Sequence, residues 1–199
     1  MRIICVRTGE KYTDWHVNNL KYMIDNYSGL SYKKFEVIEN DLYGNWYNKL
    51  QMYDLFRDGE NLYFDLDIVI YNEVPNLIRK NFTVLHAWWR EPEHTPLNSS
   101  IISWTGDVSH IWNKFKKDED YYLTKYWKGS DEFYYREIDY NTYDKVCYSM
   151  KNNEYNPKDD QYSICLFNQN QHLMNEGWTG WWKDYFVNSN ISNATTIVS

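Results

Sequence analysis

A chain of 199 residues, 43% hydrophobic and 25% charged, has the size of one domain and enough apolar mass for a real core. With 19% aromatic residues it carries far too much ring area to stay disordered, and no run approaches the roughly 20 apolar residues of a membrane span. The net charge of -7, with no Lys/Arg cluster beyond pairs such as Lys116-Lys117, excludes a protein that grips a nucleic-acid backbone; a phosphate ligand would need a cation to mediate the contact.

In chain order, Arg2–Arg7 is a short apolar run with β-branched residues and predicts a buried strand. Thr13-Asp14 predicts a helix start, with Trp15, Asn18, Asn19, Met23 and Ile24 following at near-helical spacing and Asn26-Tyr27-Ser28-Gly29 ending it. Lys34–Glu39 reads as a second strand. Gly44-Asn45 opens another helical stretch, with Trp46, Leu50, Tyr53 and Phe56 on one face, and Asp58-Gly59-Glu60-Asn61 breaks it. Leu62–Tyr71 is the most strand-like segment of the chain. Phe82–His86 and Ser99–Trp104 predict further strands, Val108–Phe115 and Asp131–Ile138 helices, and Tyr143–Met150 and Tyr162–Phe167 late strands. Alternation of strand and helix over the first 71 residues argues for an α/β fold with a mainly parallel sheet, and such sheets bind ligands at the carboxyl ends of their strands. One domain is expected over 1–187, followed by a polar, frayed tail over 188–199.

Cys5, Cys147 and Cys165 are odd in number and widely spaced, with no CxxC, which reads as reduced, buried thiols. The first residues start a strand directly and lack a signal-peptide pattern, so a cytoplasmic location is expected (that of the host, were the source viral). On the same ground the Asn-x-Ser/Thr sequons at Asn26, Asn81, Asn98, Asn190 and Asn193 read as chance.

The informative feature is Asp65-Leu66-Asp67, two acids inside the most apolar strand candidate, between Tyr63-Phe64 and Ile68-Val69-Ile70. Burying an isolated carboxylate is expensive, so such groups are paired, hydrogen-bonded or metal-bound. In an extended chain residues i and i+2 point to the same side, so Asp65 and Asp67 converge. Hard carboxylate oxygens suit Mg²⁺ or Mn²⁺, which can bridge to a diphosphate. The plainer reading is that one Asp begins a turn and the other caps a helix near Asn72–Asn76.

The pattern resembles the metal-dependent GT-A glycosyltransferases, especially family 8-like enzymes and small phage or viral proteins of that type. Ile3–Arg7 followed by Thr8-Gly9-Glu10-Lys11-Tyr12 is similar to their first strand and nucleotide-base loop. Trp46-Tyr47-Asn48-Lys49-Leu50 is similar to the helix block before the acidic strand, and Tyr63–Ile70 to the strand that carries D-x-D. Asn98–Trp104 resembles the strand lining the donor-sugar pocket, and Gly129-Ser130-Asp131-Glu132 stands in place of a late acidic block. The resemblance covers about residues 2–150. It implies a Rossmann-like GT-A fold, with a central sheet flanked by helices. It implies metal-dependent transfer of a hexose from a nucleotide diphosphate sugar, a UDP-sugar foremost, to an acceptor that is a glycan, a protein or a small molecule.

On that resemblance Thr8 and Tyr12 hold the base, and Lys49 reaches phosphate or is simply a solvated helix lysine. Asp65, Asn98 and Ser99 contact the donor. Asp65, Asp67 and Asn168 hold Mn²⁺ or Mg²⁺. Asp131 and Glu132 are the catalytic candidates, Asp131 having a helix N-cap, with Ser130, as its plainer role. The late block departs from the family: Asn168 stands where a metal-binding His is usual, His172 lies out of register, and the Gly and Lys of that block are missing. That departure motivates an alternative, a catalytically degenerate GT-A-like protein that binds nucleotide or saccharide. A sugar-phosphate nucleotidyltransferase would need an early Gly-rich loop, and only Gly9 is present there. His86 and His94 read as structural residues, and Trp178, Trp181 and Trp182 as the buried face of a short terminal helix rather than a sugar stack.

Overall fold

The structure is a computed structural model; it describes residues 1–90, 95–151, 158–174 and 180–187. His94, Trp178 and the tail 188–199 lie outside the described residues. Strand β1 (Arg2–Val6) sits between β2 (Lys34–Ile38) and β3 (Glu60–Phe64), parallel to both. Then β6 (Leu97–Thr105) runs antiparallel between β3 and β5 (Thr83–His86), and β7 (Asn141–Tyr143) closes the edge parallel to β5. The order β2-β1-β3-β6-β5-β7 is thus a mainly parallel sheet with one reversed strand. A second sheet joins β4 (Ile68–Ile70), β9 (Ile164–Leu166) and β8 (Cys147–Ser149) in the order β4-β9-β8.

Both faces of the main sheet are covered, which is why its strands read as continuous apolar runs. Side chains alternate along each strand. Ile3, Cys5, Leu62 and Phe64 pack on one face with Leu20, Met23 and Ile24 of helix α1 (Asp14–Tyr27). Ile4, Tyr63, Ile102 and Trp104 pack on the other, against Tyr47, against Tyr53 of α2 (Met52–Leu55) and against Phe115 of α3 (His110–Lys117). Each such ring or branched chain removed from water contributes about 1.5–3 kcal/mol. Cys5, Cys147 and Cys165 are free and buried, as the spacing predicted.

Local chemistry explains α1. Thr13 is extended at its start (φ -115°), and its N–H donates to His16 Nδ1 at 3.1 Å. Burial, with Lys11 nearby, pushes the His16 pKa down to about 4, which keeps that nitrogen an acceptor. At the other end the Ser28 hydroxyl donates to the Ile24 carbonyl (2.7 Å), and Gly29 turns the chain at φ +70°.

Four elements differ from the sequence expectation. Leu62–Tyr71 is not one strand: Asp65 N–H still donates to Ser100 O at 2.9 Å, then the chain bends and enters the second sheet as β4. The acids sit at the hand-over between sheets, where they can reach a cavity, instead of inside a dry ladder. Tyr143–Met150 likewise splits at Lys145, which has φ +50°. The stretch after Asn45 is a 3₁₀ helix, Trp46–Gln51, running into α2; its buried face carries Tyr47, Leu50 and Tyr53, while Trp46 is exposed. Helix α4 (Glu119–Lys125) went unseen because it buries none of its residues and so leaves no apolar stripe. Trp181–Tyr185 is a 3₁₀ turn with Trp182 buried, as the core reading of that aromatic group requires. His86 is exposed, its Nδ1 3.9 Å from Asp144. No described helix is long and apolar enough to cross a membrane.

Candidate functional site

The carboxyl ends of β1 and β3 open into a cavity of about 520 Å³, a size usual for a small-molecule site. The loop after β1 brings Thr8 and Tyr12 to it. The bend after β3 brings Asp65 and Asp67, and β6 brings Asn98 and Ser99. The 3₁₀ helix adds Trp46 and Lys49, and α5 (Ser130–Glu137) adds Asp131 from its first turn. Phe167 N–H donates to Asp67 O at 2.9 Å, so the second sheet delivers the next residue, Asn168, beside the acids. Nine of the ten residues singled out from sequence therefore line one cavity. Glu132 is the exception: it follows Asp131 by one helical step of roughly 100° and does not line the cavity.

One wall is a continuous chain of paired groups. Lys49 is buried, only 6% exposed, and not a solvated lysine. Its Nζ donates to Asp65 Oδ1 at 2.9 Å and to Ser99 Oγ and O at 3.0 and 3.3 Å. The Tyr63 hydroxyl donates to the same Asp65 oxygen. Burial opposes ionisation of Asp65, but the Lys49 charge with hydrogen bonds from Tyr63, Lys49 and Ser100 outweighs it and holds the carboxyl below its usual range. Ser99 donates its N–H (3.0 Å) and its hydroxyl to Asp131 Oδ1, and Arg90 Nη2 donates to Asp131 Oδ2 at 2.8 Å. Asp131 is thus a braced carboxylate; the N-cap of α5 is Gly129, not the Ser130-Asp131 pair.

The other wall lacks such compensation. Burial first, and the neighbouring Asp65 charge second, push the Asp67 carboxyl up to about 7, with Lys11 and Lys49 pulling the other way. Tyr12 lines the cavity with Asp67, and burial followed by the charges of Asp67 and Asp65 drives its hydroxyl far above the ordinary tyrosine range. Asn168 holds a left-handed backbone (φ +49°); its amide donates to Ser149 Oγ, and its Oδ1 accepts from Asn98 at 3.4 Å. Thr8 Oγ1 accepts from Asn48 at 3.0 Å.

Of two neighbouring carboxylates, Asp67 is the one that ionises with difficulty, and among the described residues no ion pair meets it. With the Asn168 amide oxygen they offer only hard donors, which fits Mg²⁺ or Mn²⁺ and not a softer ion. Among the described residues no group of three or more His, Cys, Asp or Glu is placed to hold a metal. His172 is exposed and does not line the cavity.

Sequence reasoning missed Tyr63 and Arg90. Tyr63 was legible in principle, two residues before Asp65 and therefore on its side of the strand. Arg90 carries no local signal; the fold alone brings it to Asp131.

The fold recurs in solved structures. The galactosyltransferase LgtC, solved with donor and acceptor sugar analogs, superposes with a TM-score of 0.64 at 9% identity, over 100% of this chain and 98% of that one. The fold is that of the GT-A glycosyltransferases. GlyE of Streptococcus pneumoniae TIGR4 gives a TM-score of 0.63 at 10% identity over 92% of this chain; the chain spans 60% of GlyE. A glycosyltransferase involved in glycosylation of the major capsid of PBCV-1 gives 0.60 at 11% identity, over 87% of this chain and 97% of that one. No protein-family model and no curated protein matches the sequence. At 9–11% identity the likeness speaks for the GT-A fold, and the chemistry has to be argued from the residues in the cavity.

Proposed function

We propose that the protein is a metal-dependent glycosyltransferase that moves a hexose from a nucleotide diphosphate sugar, a UDP-sugar foremost, to an acceptor. The observation that carries this reading is the asymmetric cavity: a charge-deficient pair, Asp65 and Asp67, faces a braced Lys49–Ser99–Asp131–Arg90 wall. In an acidic chain a diphosphate needs cations, and the cavity supplies Lys11, Lys49, Arg90, Lys128 and Lys151 around its acids. Asp65, Asp67 and Asn168 would hold the divalent ion, which supplies charge neutralisation on the departing nucleoside diphosphate.

The chain's own residues do the rest. Tyr12 and Thr8 form the base end of the cavity. Lys49 orients the Asp65 side chain and favours its ionised form. Asp131 has each oxygen engaged by the protein, yet a carboxylate carries about four lone-pair sites, so it can still accept a bond from a sugar hydroxyl. Asn98 lies beside it with an amide for a second hydroxyl. Residues held this firmly position a donor without reorganising.

A thermal-shift series tests the reading: UDP and UDP-hexoses with Mn²⁺, with Mg²⁺ and with chelator. A ligand of the folded state at a hundredfold excess over its dissociation constant adds about 2.7 kcal/mol of apparent stability. The expected result is stabilisation by UDP that depends on the divalent ion and is lost in Asp67→Asn, together with slow release of free hexose from one donor. Equal UDP binding with and without metal sinks metal dependence. Binding with no hexose release from any donor favours the degenerate-binder alternative, which the amide at Asn168 and its engagement by Ser149 and Asn98 recommend.

A further inference from the structure

Trp46 is 53% exposed yet lines the cavity, and a large ring left in water at a cavity rim calls for a partner. Its position is fixed by three features. Asn45 accepts the Tyr47 N–H at 2.8 Å and locks the first turn of the 3₁₀ helix. In such a helix residues i and i+3 eclipse, so Trp46 and Lys49 share one face. Lys49 runs inward to Asp65 and Ser99, and Trp46 stands one turn further out. Behind the indole lies Gly129, at φ +138°, where an added Cβ would come to 3.2 Å from Trp46 Nε1. The Tyr47 hydroxyl ties the same turn down through the Tyr126 carbonyl at 2.8 Å. The indole therefore has Gly129 against the Nε1 part of its ring and leaves about half of its surface to solvent.

Lys49 and Asp67 are buried at 6% exposure each, whereas Trp46 stands half in water at the rim of the cavity. Tyr12, the ring of the β1 loop, lines the same cavity together with Asp67. A second aromatic ring at the mouth, beside Gly129 and Asp131, sits where a molecule arriving from solvent meets a donor already seated. A pyranose matches such a surface: its C–H face packs on the electron-rich indole face, and its hydroxyls reach the polar groups of Lys128 and Asp131 around it. We propose that Trp46 is the platform for a carbohydrate acceptor, so that the acceptor class is a saccharide rather than a protein side chain or a small non-sugar hydroxyl compound. This rests on the transferase reading above.

The test measures binding of methyl β-galactopyranoside and methyl β-glucopyranoside to the full chain by saturation-transfer NMR, with and without UDP and Mn²⁺. Transfer is expected to the protons of one sugar face. The dissociation constant should rise roughly tenfold in Trp46→Ala and stay within about threefold of wild type in Trp46→Tyr. Trp127, 69% exposed but outside the cavity lining, is the control, and Trp127→Ala should bind the glycoside as wild type does. Absence of transfer to either glycoside, undiminished binding in Trp46→Ala, or an equal loss in Trp127→Ala overturns the platform. Loss of UDP binding in Trp46→Ala also overturns it, because the ring would then serve the donor. A wild type that ignores UDP in every condition overturns the transferase reading instead, and the saccharide measurement still decides the platform.

Discussion

The two walls of the cavity solve the same problem in opposite ways. On one, Asp65 and Asp131 are each met by a buried or half-buried cation and by hydroxyl or amide donors, so the charge is balanced within the protein. On the other, Asp67 faces Asp65 with a tyrosine and an asparagine for company, and its carboxyl resists ionisation near neutral pH. The first wall is built for shape. On the second an ionised carboxylate would be uncompensated and costly, so Asp67 keeps its proton unless a cation joins it, as the proposed function requires. The difference teaches where a cation would be worth most.

The strongest way to break that contrast is to strip the balanced wall of its cation. Lys49→Met removes the cation from Asp65 and leaves the Tyr63 hydroxyl bonded to its carboxylate. Removing one partner of a buried pair costs roughly 3–5 kcal/mol; the Asp65 side chain keeps 23% exposure, so about 3 kcal/mol is expected. Urea unfolding at neutral pH in chelator measures it, and a loss below about 0.5 kcal/mol would mean that the wall is not braced through Lys49.

A smaller effect sharpens the other side. The folded Asp67 carboxyl titrates at about 7 against 3.8 for its ordinary value, so the folded state holds its proton more tightly than the unfolded chain does. Its contribution to stability is therefore present at acid pH and is lost as pH rises through about 7. In chelator, Asp67→Asn should remove that downward slope and exceed the wild type by on the order of 2 kcal/mol at pH 8. Mn²⁺ should restore the wild type at pH 8 and leave the variant unmoved. Parallel pH profiles for the two proteins in denaturant would refute the charge-deficient wall.

Much of this was legible in the sequence, and unevenly so. The strands of the main sheet announce themselves because both faces are buried. The helix from Thr13 announces itself through its Thr13-Asp14 start and through Trp15, Met23 and Ile24 at near-helical spacing. Asp65 and Asp67 stood out because acids interrupt an apolar run, although the same run hid the bend between the sheets: nothing local says that Phe64 pairs with Ile101 while Ile68 pairs with Leu166. Lys49 looked like any helix lysine, since burial is a property of the fold and not of its neighbours in sequence. Arg90 lies 41 positions from its partner Asp131. Such long-range pairs leave no periodicity to read.

The smallest expected effect concerns adjacent acids. Asp131 and Glu132 looked interchangeable as catalytic candidates, but a helix separates neighbours by roughly 100° and only Asp131 turns into the cavity. Asp131 is held by Ser99 and Arg90, whereas among the described residues no donor to the Glu132 carboxylate accompanies the backbone bond of its N–H to Gly129 O. Glu132→Gln should thus shift stability by less than about 0.5 kcal/mol and leave UDP binding in Mn²⁺ as it is. Asp131→Asn should weaken the wall that Arg90 braces and reduce hexose release from the donor. Equal behaviour of the two variants in a denaturant melt and a donor-hydrolysis assay would show that α5 presents a different face to the cavity. The sharp contrast between a braced carboxylate and an idle one would then be lost.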